Sequence, residues 1–322
     1  MADRGKIPSS LRAGAVLLLV LAALALGAPL LATDLPWIAR DADGLSFPAF
    51  SAMLTATSGT LPDGAESPIL AAPIPHGPNR VDLRSTLVPP MSGHWLGTDD
   101  LGRDLAARVV HGARVSLGVG FLSAAFALLV GVPLGAWAGY RRGWADFVVS
   151  RAVETVLSFP TLLLVLAILA VASGWLARLS DVTRLALVLG LTGWMPIARY
   201  LRAEFLKLRE SDMVSAARAV GGSDLRIAWR HILPSAMAPV LVTAAFAVGA
   251  AIGMEAALSF LGLGVRPPHA TWGVLLADSR EQIDRAWWLA LFPGVALFGA
   301  VLACNLVGEG LRDLLDPRSG RR

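Results

Sequence analysis

Cysteine is almost absent: Cys304 stands alone among 322 residues, inside an apolar run, so one chain can form neither an internal disulfide nor a cysteine-based metal site. Lysine is nearly as scarce. Lys6 is followed by Ile7 and Lys207 is preceded by Leu206, so neither completes the Gly-x-x-x-x-Gly-Lys-Ser/Thr loop whose amides and lysine hold nucleotide phosphates. ATP hydrolysis is therefore not expected here, and any ATP and Mg must be bound by another polypeptide. The five histidines, His76, His94, His111, His231 and His269, show no His-x-x-x-His or His-Glu-x-x-His pair, and the sequence predicts no zinc site or other metal site. Charge is sparse as well. Charged residues make up 16% of the chain against 55% hydrophobic, and a mean hydropathy of +0.61 lies beyond the usual range of soluble domains. The net charge of +4 is spread over short segments rather than gathered into a stripe, so no nucleic-acid partner is expected. No serine or aspartate has a catalytic partner at matching membrane depth, which sets aside an intramembrane protease.

What is present is a series of apolar blocks, each near the length needed to cross a bilayer core of about 30 Å. They are Ala13–Ala32, Val115–Gly139, Val153–Ser173, Val182–Ala198, Ala236–Ala257 and Ala286–Val307, and they predict an all-α membrane protein with six transmembrane helices. The first block follows Arg4, Lys6 and Arg12 and is read as an uncleaved span, being too long for an ordinary signal-peptide core. Basic residues favour the cytoplasmic side of short loops. That rule places both termini inside, together with Arg141, Arg142, Arg151, the charged stretch from Arg199 to Arg230, and the tail residues Arg312, Arg318, Arg321 and Arg322. Trp37, Trp95, Trp175, Trp287 and Trp288 near outer ends, and Trp144, Tyr200 and Trp229 near inner ones, read as headgroup-level anchors.

The expected organisation is a basic segment and first span (1–32), an outer Pro/Gly-rich loop ending in an amphipathic pre-helix (33–114), a five-helix core (115–307) and a cytoplasmic tail (308–322). Prolines 62, 68, 73, 75, 78, 89 and 90 predict an irregular middle for the outer loop. Gly131, Gly135 and Gly139, and likewise Gly249 and Gly253, recur every four residues and predict close helix approach, while Pro133 and Pro160 are expected to kink or end their helices. Glu154 and Glu255, near span ends, are expected to be solvated or structurally paired.

The cytoplasmic loop of residues 199–234 carries the strongest pattern. Ser211 or Asp212 can cap a short helix whose Met213, Val214, Ala217 and Val220 share a face; Gly221 and Gly222 break it. Ser223 or Asp224 can open a second helix with Leu225, Ala228, Trp229 and Ile232 on one stripe, ending at Leu233-Pro234. Two short amphipathic helices make a knob that needs a soluble partner.

The run VSAARAVGGSDLRIAWRHILP, Val214–Pro234, resembles the EAA loop of type I ABC importer permeases. Ala216, Ala217, Gly221, Leu233 and Pro234 match at the required spacing; Ser215 stands where the pattern has glutamate, and His231 where it has isoleucine. The stretch His94–Gly120 is similar to the signature before the second span in dipeptide, oligopeptide and nickel permeases. Gly97, Thr98, Asp99, Gly102, Arg103, Asp104, Arg108, Gly112, Arg114, Ser116 and Leu117 fit it. Leu258–Leu276 and Leu311–Arg318 resemble further parts of the same family. The resemblance implies a C-type subunit in the inner membrane, N-in and C-in, paired with a B-type permease as a heterodimer. It implies two ATP-binding subunits and an extracytoplasmic solute-binding protein as partners. It also implies that Ser211, Asp212, Ser215, Ala216, Ala217, Arg218, Gly221, Asp224, Leu225, His231, Leu233 and Pro234 couple to the ATPase. The residues themselves see the Asp99, Arg103 and Asp104 cluster as turns and helix caps. The rival is a stand-alone secondary transporter or channel, which would show coupling charges or broken helices in repeat-related halves.

Overall fold

Apolar blocks separated by Pro/Gly-rich or charged stretches give long helices joined by short irregular pieces. The computed structural model describes residues 8–41, 44–55, 67–171, 174, 176 and 178–315. Expectations placed on Arg4, Lys6, Pro62, Ser173, Trp175, Arg318, Arg321 and Arg322 fall outside those residues.

The first helix, α1, spans Ser9–Leu31, about 35 Å at 1.5 Å per residue, enough for a bilayer core. The outer segment is more regular than its prolines suggest. Strands β1 (Ile38–Asp41), β2 (Gly44–Ser46) and β3 (Ser67–Leu70) form an antiparallel sheet in the order β2-β1-β3, and helix α2 covers Pro48–Thr55. The prolines sit where they cost least: Pro48 opens α2, and Pro68 lies on an edge strand.

Helix α3, Leu105–Arg141, merges the expected pre-helix and second span, and Pro133 lies inside it without ending it. Arg142 and Gly143, both at positive φ, turn the chain into α4 (Trp144–Leu157). The expected third span is not continuous. It breaks between α4 and α5 (Thr161–Val171), which meet at 97°, because the residue before Pro160 is pushed out of the helical region. Helix α6 covers Asp181–Leu208, its first turn closed by the Ser180 hydroxyl accepting the Thr183 N–H at 3.2 Å.

Helices α7 (Asp212–Ala219) and α8 (Asp224–Ile227) follow, then a π turn (Ala228–Ile232) that feeds α9 (Leu233–Phe260). Helix α10 (Trp272–Ser279) and α11 (Trp288–Leu315) complete the described chain. Among the described residues four helical stretches are long and apolar enough to cross a membrane: α1, α3, residues 224–260, and α11. The α4–α5 pair makes a fifth if counted as one span. The expected fourth span lies inside α6, whose apolar stretch is flanked by Asp181 and Arg184 on one side and Arg199, Arg202, Glu204 and Lys207 on the other.

The chain forms two compact units. One comprises Met1–Leu17, Val119–Met254 and Val301–Arg322, the other Leu18–Gly118 and Glu255–Ala300. In the first, α3 lies directly on α6: a methyl group on Gly131, Gly135 or Gly139 would come within 2.8 Å of the Trp194 carbonyl oxygen, 2.6 Å of the Ala198 carbonyl oxygen, or 2.5 Å of Phe205 Cβ. The glycine repeat on α3 is thus a packing groove. The α9 pair behaves differently, since Gly249 faces Cys304 whereas, among the described residues, a methyl group on Gly253 meets nothing within 4 Å.

The second unit is organised around Trp272, which is buried. Its backbone N–H donates to the Ser116 hydroxyl at 3.2 Å and its indole N–H to the Val109 carbonyl at 3.1 Å. Trp288 also departs from the anchor role. It is buried in this unit and donates its indole N–H to the Thr98 carbonyl at 3.2 Å. Trp95, Trp144, Trp229, Trp287 and Tyr200 are exposed, as interfacial anchors are.

Candidate functional site

Ser211 occupies the N-cap position of α7, but its hydroxyl donates back to the Leu208 carbonyl at 2.6 Å instead of capping the helix. The α7 helix therefore starts as a turn off the end of α6, with Asp212 in its first turn. Gly221 adopts φ +83° and donates its N–H to the Arg218 carbonyl at 2.9 Å, reversing the chain between α7 and α8. Only glycine takes that conformation without strain. The second helix does not stop at Leu233-Pro234. Its last turn widens into a π turn in which the Leu233 N–H reaches the Ala228 carbonyl, and the helix runs on into α9. Proline has no N–H to contribute, and a π turn just before it lets the helix continue; such turns often mark functional places.

The apolar residues of the knob divide between two faces. Val214, Ile227 and Ile232 are fully buried with Ile197, Leu201, Phe205, Ala236 and Val240, and Ala217, Ala228 and Leu233 pack against that cluster. Burial of each larger side chain contributes about 1.5–3 kcal/mol, enough to fix the knob on the helices behind it. Val220, Leu225 and Trp229 point the other way, with exposures of 90%, 70% and 54%. Met213, Ser215, Ala216, Arg218 and Asp224 are exposed around them, while His231 is partly buried and Pro234 exposed at the start of α9. The expected single stripes, Met213 to Val220 and Leu225 to Ile232, are therefore each split. The short α8 and the π turn shift the helical phase, sending Ile227 and Ile232 inward and Leu225 and Trp229 outward.

Polar contacts tie the base of the knob to the end of α3. The Tyr140 hydroxyl donates to Asp224 at 2.5 Å, Arg209 donates to the Tyr140 carbonyl at 2.5 Å, and Arg142 pairs with Glu210 at 2.5 Å. Arg202 pairs with Asp146 across from α6 to α4. A push on the exposed face therefore meets a braced element.

In the second unit, the signature residues build the entry to α3. The Thr98 hydroxyl donates to the Ser85 carbonyl at 2.5 Å and accepts the Val88 N–H at 2.8 Å. Asp99 accepts the N–H groups of Leu101 and Arg103 and pairs with the Arg103 side chain at 2.6 Å. Asp104 caps α3, accepting the Ala107 N–H at 2.8 Å. Gly97 and Gly102 take positive φ, and a side chain at Gly102 would collide with the Asp82 carbonyl. Arg114 is exposed on α3. Arg108 is buried between Asp99 at 3.4 Å and Asp278 at 3.4 Å, and among the described residues its Nε and Nη1 have no hydrogen-bond partner. Burial raises the Asp278 carboxyl above the ordinary range, opposed by Arg108 and Arg103. At exposed Asp82 the Arg84 N–H and the Ser85 hydroxyl hold the carboxyl below it.

Glu154 is exposed and pairs with Arg151 at 2.7 Å. Glu255 is not solvated. It is fully buried and accepts hydrogen bonds from Ser116 at 3.1 Å and Ser259 at 2.7 Å. Sequence reading missed Trp272 and Asp278 as members of this unit's polar core. Their partners lie about 160 to 170 residues away in the chain, where no local pattern reaches.

The family model for binding-protein-dependent transport system inner membrane components matches residues 131–321. The chain belongs to that family. It is similar to a Brucella suis biovar 1 protein named as a peptide transport system permease, with 45% identity over 254 residues covering 78% of this chain and 82% of that one. The dipeptide transport system permease protein DppC of Alkalihalophilus pseudofirmus is 44% identical over 230 residues, 71% of this chain and 73% of that one. Glutathione transport system permease protein GsiD of Pectobacterium atrosepticum is 38% identical over 229 residues, 71% and 74% of the two chains. A chain of the MetNI methionine ABC transporter, solved in inward-facing conformations, shares the fold at a TM-score of 0.52 and 19% identity, covering 67% of this chain and 97% of that one. The chain is thus a multi-pass inner-membrane permease component of a bacterial transport system. Dependence on a binding protein, which defines the family, sets aside the stand-alone secondary transporter or channel.

Proposed function

We propose that this permease forms half of the translocation pore of an ATP-driven importer of peptides or similar small solutes, beside a second permease of the B type. Two separate ATP-binding subunits supply the energy, and an extracytoplasmic binding protein delivers the solute. The observation that carries the reading is the two-faced knob of residues 211–234, anchored by Val214, Ile227 and Ile232 and offering Val220, Leu225 and Trp229 outward. Exposed aromatic and aliphatic side chains on a braced, rim-charged projection have the make-up of an interface core. The scarcity of lysine and the missing phosphate-binding loop agree with ATP hydrolysis elsewhere. Peptide as cargo rests on the printed roles of the similar proteins.

The mechanism that follows is alternating access: closure of the ATP-binding subunits moves the knob, and the continuous path from α8 through the π turn into α9 carries that motion into a membrane-spanning helix. Reconstitution in liposomes tests the assignment. The purified chain alone should neither hydrolyse ATP nor accumulate peptide, whereas the full set of two permeases, two ATP-binding subunits and binding protein should do both. Ion-driven uptake by the chain alone would overturn it.

A further inference from the structure

The outer loop and the entry to α3 bring together three side chains that no local spacing connects. His76, His94 and Asp104 offer ligand atoms that all lie within 4.8 Å of one another. His94 Nδ1 is 2.8 Å from Asp104 Oδ2, the two imidazole rings stack with centroids 4.6 Å apart, and the Asp104 side chain is buried. From this geometry we propose that His76, His94 and Asp104 form a binding site for a first-row transition-metal ion, Zn(II) fitting best, that clamps the outer loop to the start of α3.

The donor set suits such an ion. The two imidazoles are borderline ligands that, beside a single carboxylate, favour zinc, nickel or copper over magnesium or calcium. Three protein ligands leave one tetrahedral position for water. Each ligand is also held from behind. Asp104 Oδ1 accepts the Ala107 N–H at 2.8 Å, which leaves Oδ2 for His94 or a metal. The carbonyl of Gly93, 3.1 Å from His76 Nε2, can only accept, so this contact holds the ring when Nε2 carries the proton, and Nδ1 is then the nitrogen open to a metal. His94 is fixed by reciprocal backbone hydrogen bonds with Met91 at 3.0 and 3.1 Å. Next to His76, the Gly77 N–H donates to Asp34 at 2.9 Å.

Metal entry requires three adjustments, the largest being that donor atoms up to 4.8 Å apart close to bonding separation. Ligand bonds of about 2.0–2.2 Å in tetrahedral geometry separate donor atoms by about 3.3 Å, so the His94–Asp104 pair opens by roughly half an ångström. The rings, 22° from parallel, need a rotation of one imidazole about its terminal torsion, which is broad and soft. The histidines are 18 residues apart and both lie outside the long helices, which is why their spacing predicts nothing. The site shares no residue with the knob and does not depend on what the permease carries.

The test is Zn(II) binding to the full chain in detergent, purified without a polyhistidine tag, by calorimetry, with Co(II) absorption as a probe of coordination. One ion per chain is expected, with the visible bands of a four-coordinate imidazole–carboxylate centre. His76→Ala and His94→Ala should each weaken binding at least about tenfold, and His269→Ala, an exposed histidine elsewhere, should leave it unchanged. Added Zn(II) should raise the thermal midpoint of the wild type but not of His76→Ala, which separates lost binding from lost folding. Binding unchanged in His76→Ala and His94→Ala, or lost equally in His269→Ala, or absent from a monodisperse wild type, would overturn the site.

Discussion

Leu225→Glu should leave the permease inserted and folded in amount close to wild type, while ATP-driven uptake falls at least about tenfold. Leu225 is 70% exposed beside Val220 and Trp229, so the isolated chain loses almost nothing when a carboxylate replaces it; surface changes of this kind stay within about 0.5 kcal/mol. On the proposed function, the same side chain enters an apolar contact with the ATP-binding subunit. Truncating a central interface residue typically costs about 2 kcal/mol or more, roughly 30-fold in affinity, and an unpaired buried carboxylate adds to that. Gly221→Pro should give a similar loss by another route, because φ +83° and the N–H bonded to the Arg218 carbonyl are both closed to proline, with strain of about 1–3 kcal/mol. Measuring uptake and ATP hydrolysis in the same liposomes checks both. Full transport by either variant would refute the role given to the knob.

Gly135→Leu should have the larger effect on folding. A methyl group there already comes within 2.6 Å of the Ala198 carbonyl oxygen and 2.9 Å of its Cα, and backbone cannot step aside as a side chain tip can. Overpacking of this kind costs about 1–3 kcal/mol and sometimes more, and here it separates α3 from α6. Gly253→Leu is the matched control, with nothing within 4 Å of the added methyl group. Thermal stability by size-exclusion chromatography in detergent should show Gly135→Leu aggregated or clearly less stable and Gly253→Leu close to wild type.

The contrast between those two glycines shows where sequence reading succeeds and where it stops. A four-residue glycine repeat says that one helix face is flat, but not whether another helix lies on it; α6 does so for Gly135, and none does among the described residues for Gly253. The long helices were legible because their signal is local and repeated over twenty or more residues. Of the knob, α7 and the break at Gly221 are legible from local cap and glycine signals, whereas the second helix runs on past Leu233-Pro234. The knob's two faces were not legible: apolar residues occur on both, and the π turn at Ala228–Ile232 breaks the 3.6-residue phase on which the stripes were drawn. The expected pairing of Glu255 is found, but its partner Ser116, 139 positions away, is not legible from local sequence. His76 and His94 looked unrelated for a like reason, since only the folded outer loop stacks their rings.

The central claim is that the knob is the surface that receives the ATP-binding subunit, and a photo-reactive residue at position 220 tests it most directly. Val220 is 90% exposed and leaves the buried cluster untouched. In the intact transporter, illumination should yield an adduct of this chain with the ATP-binding subunit, lost when Leu225→Glu is combined with it. An assembled transporter that gives no such adduct, while the same probe at the exposed outer residue Trp95 labels the ATP-binding subunit, would contradict the account.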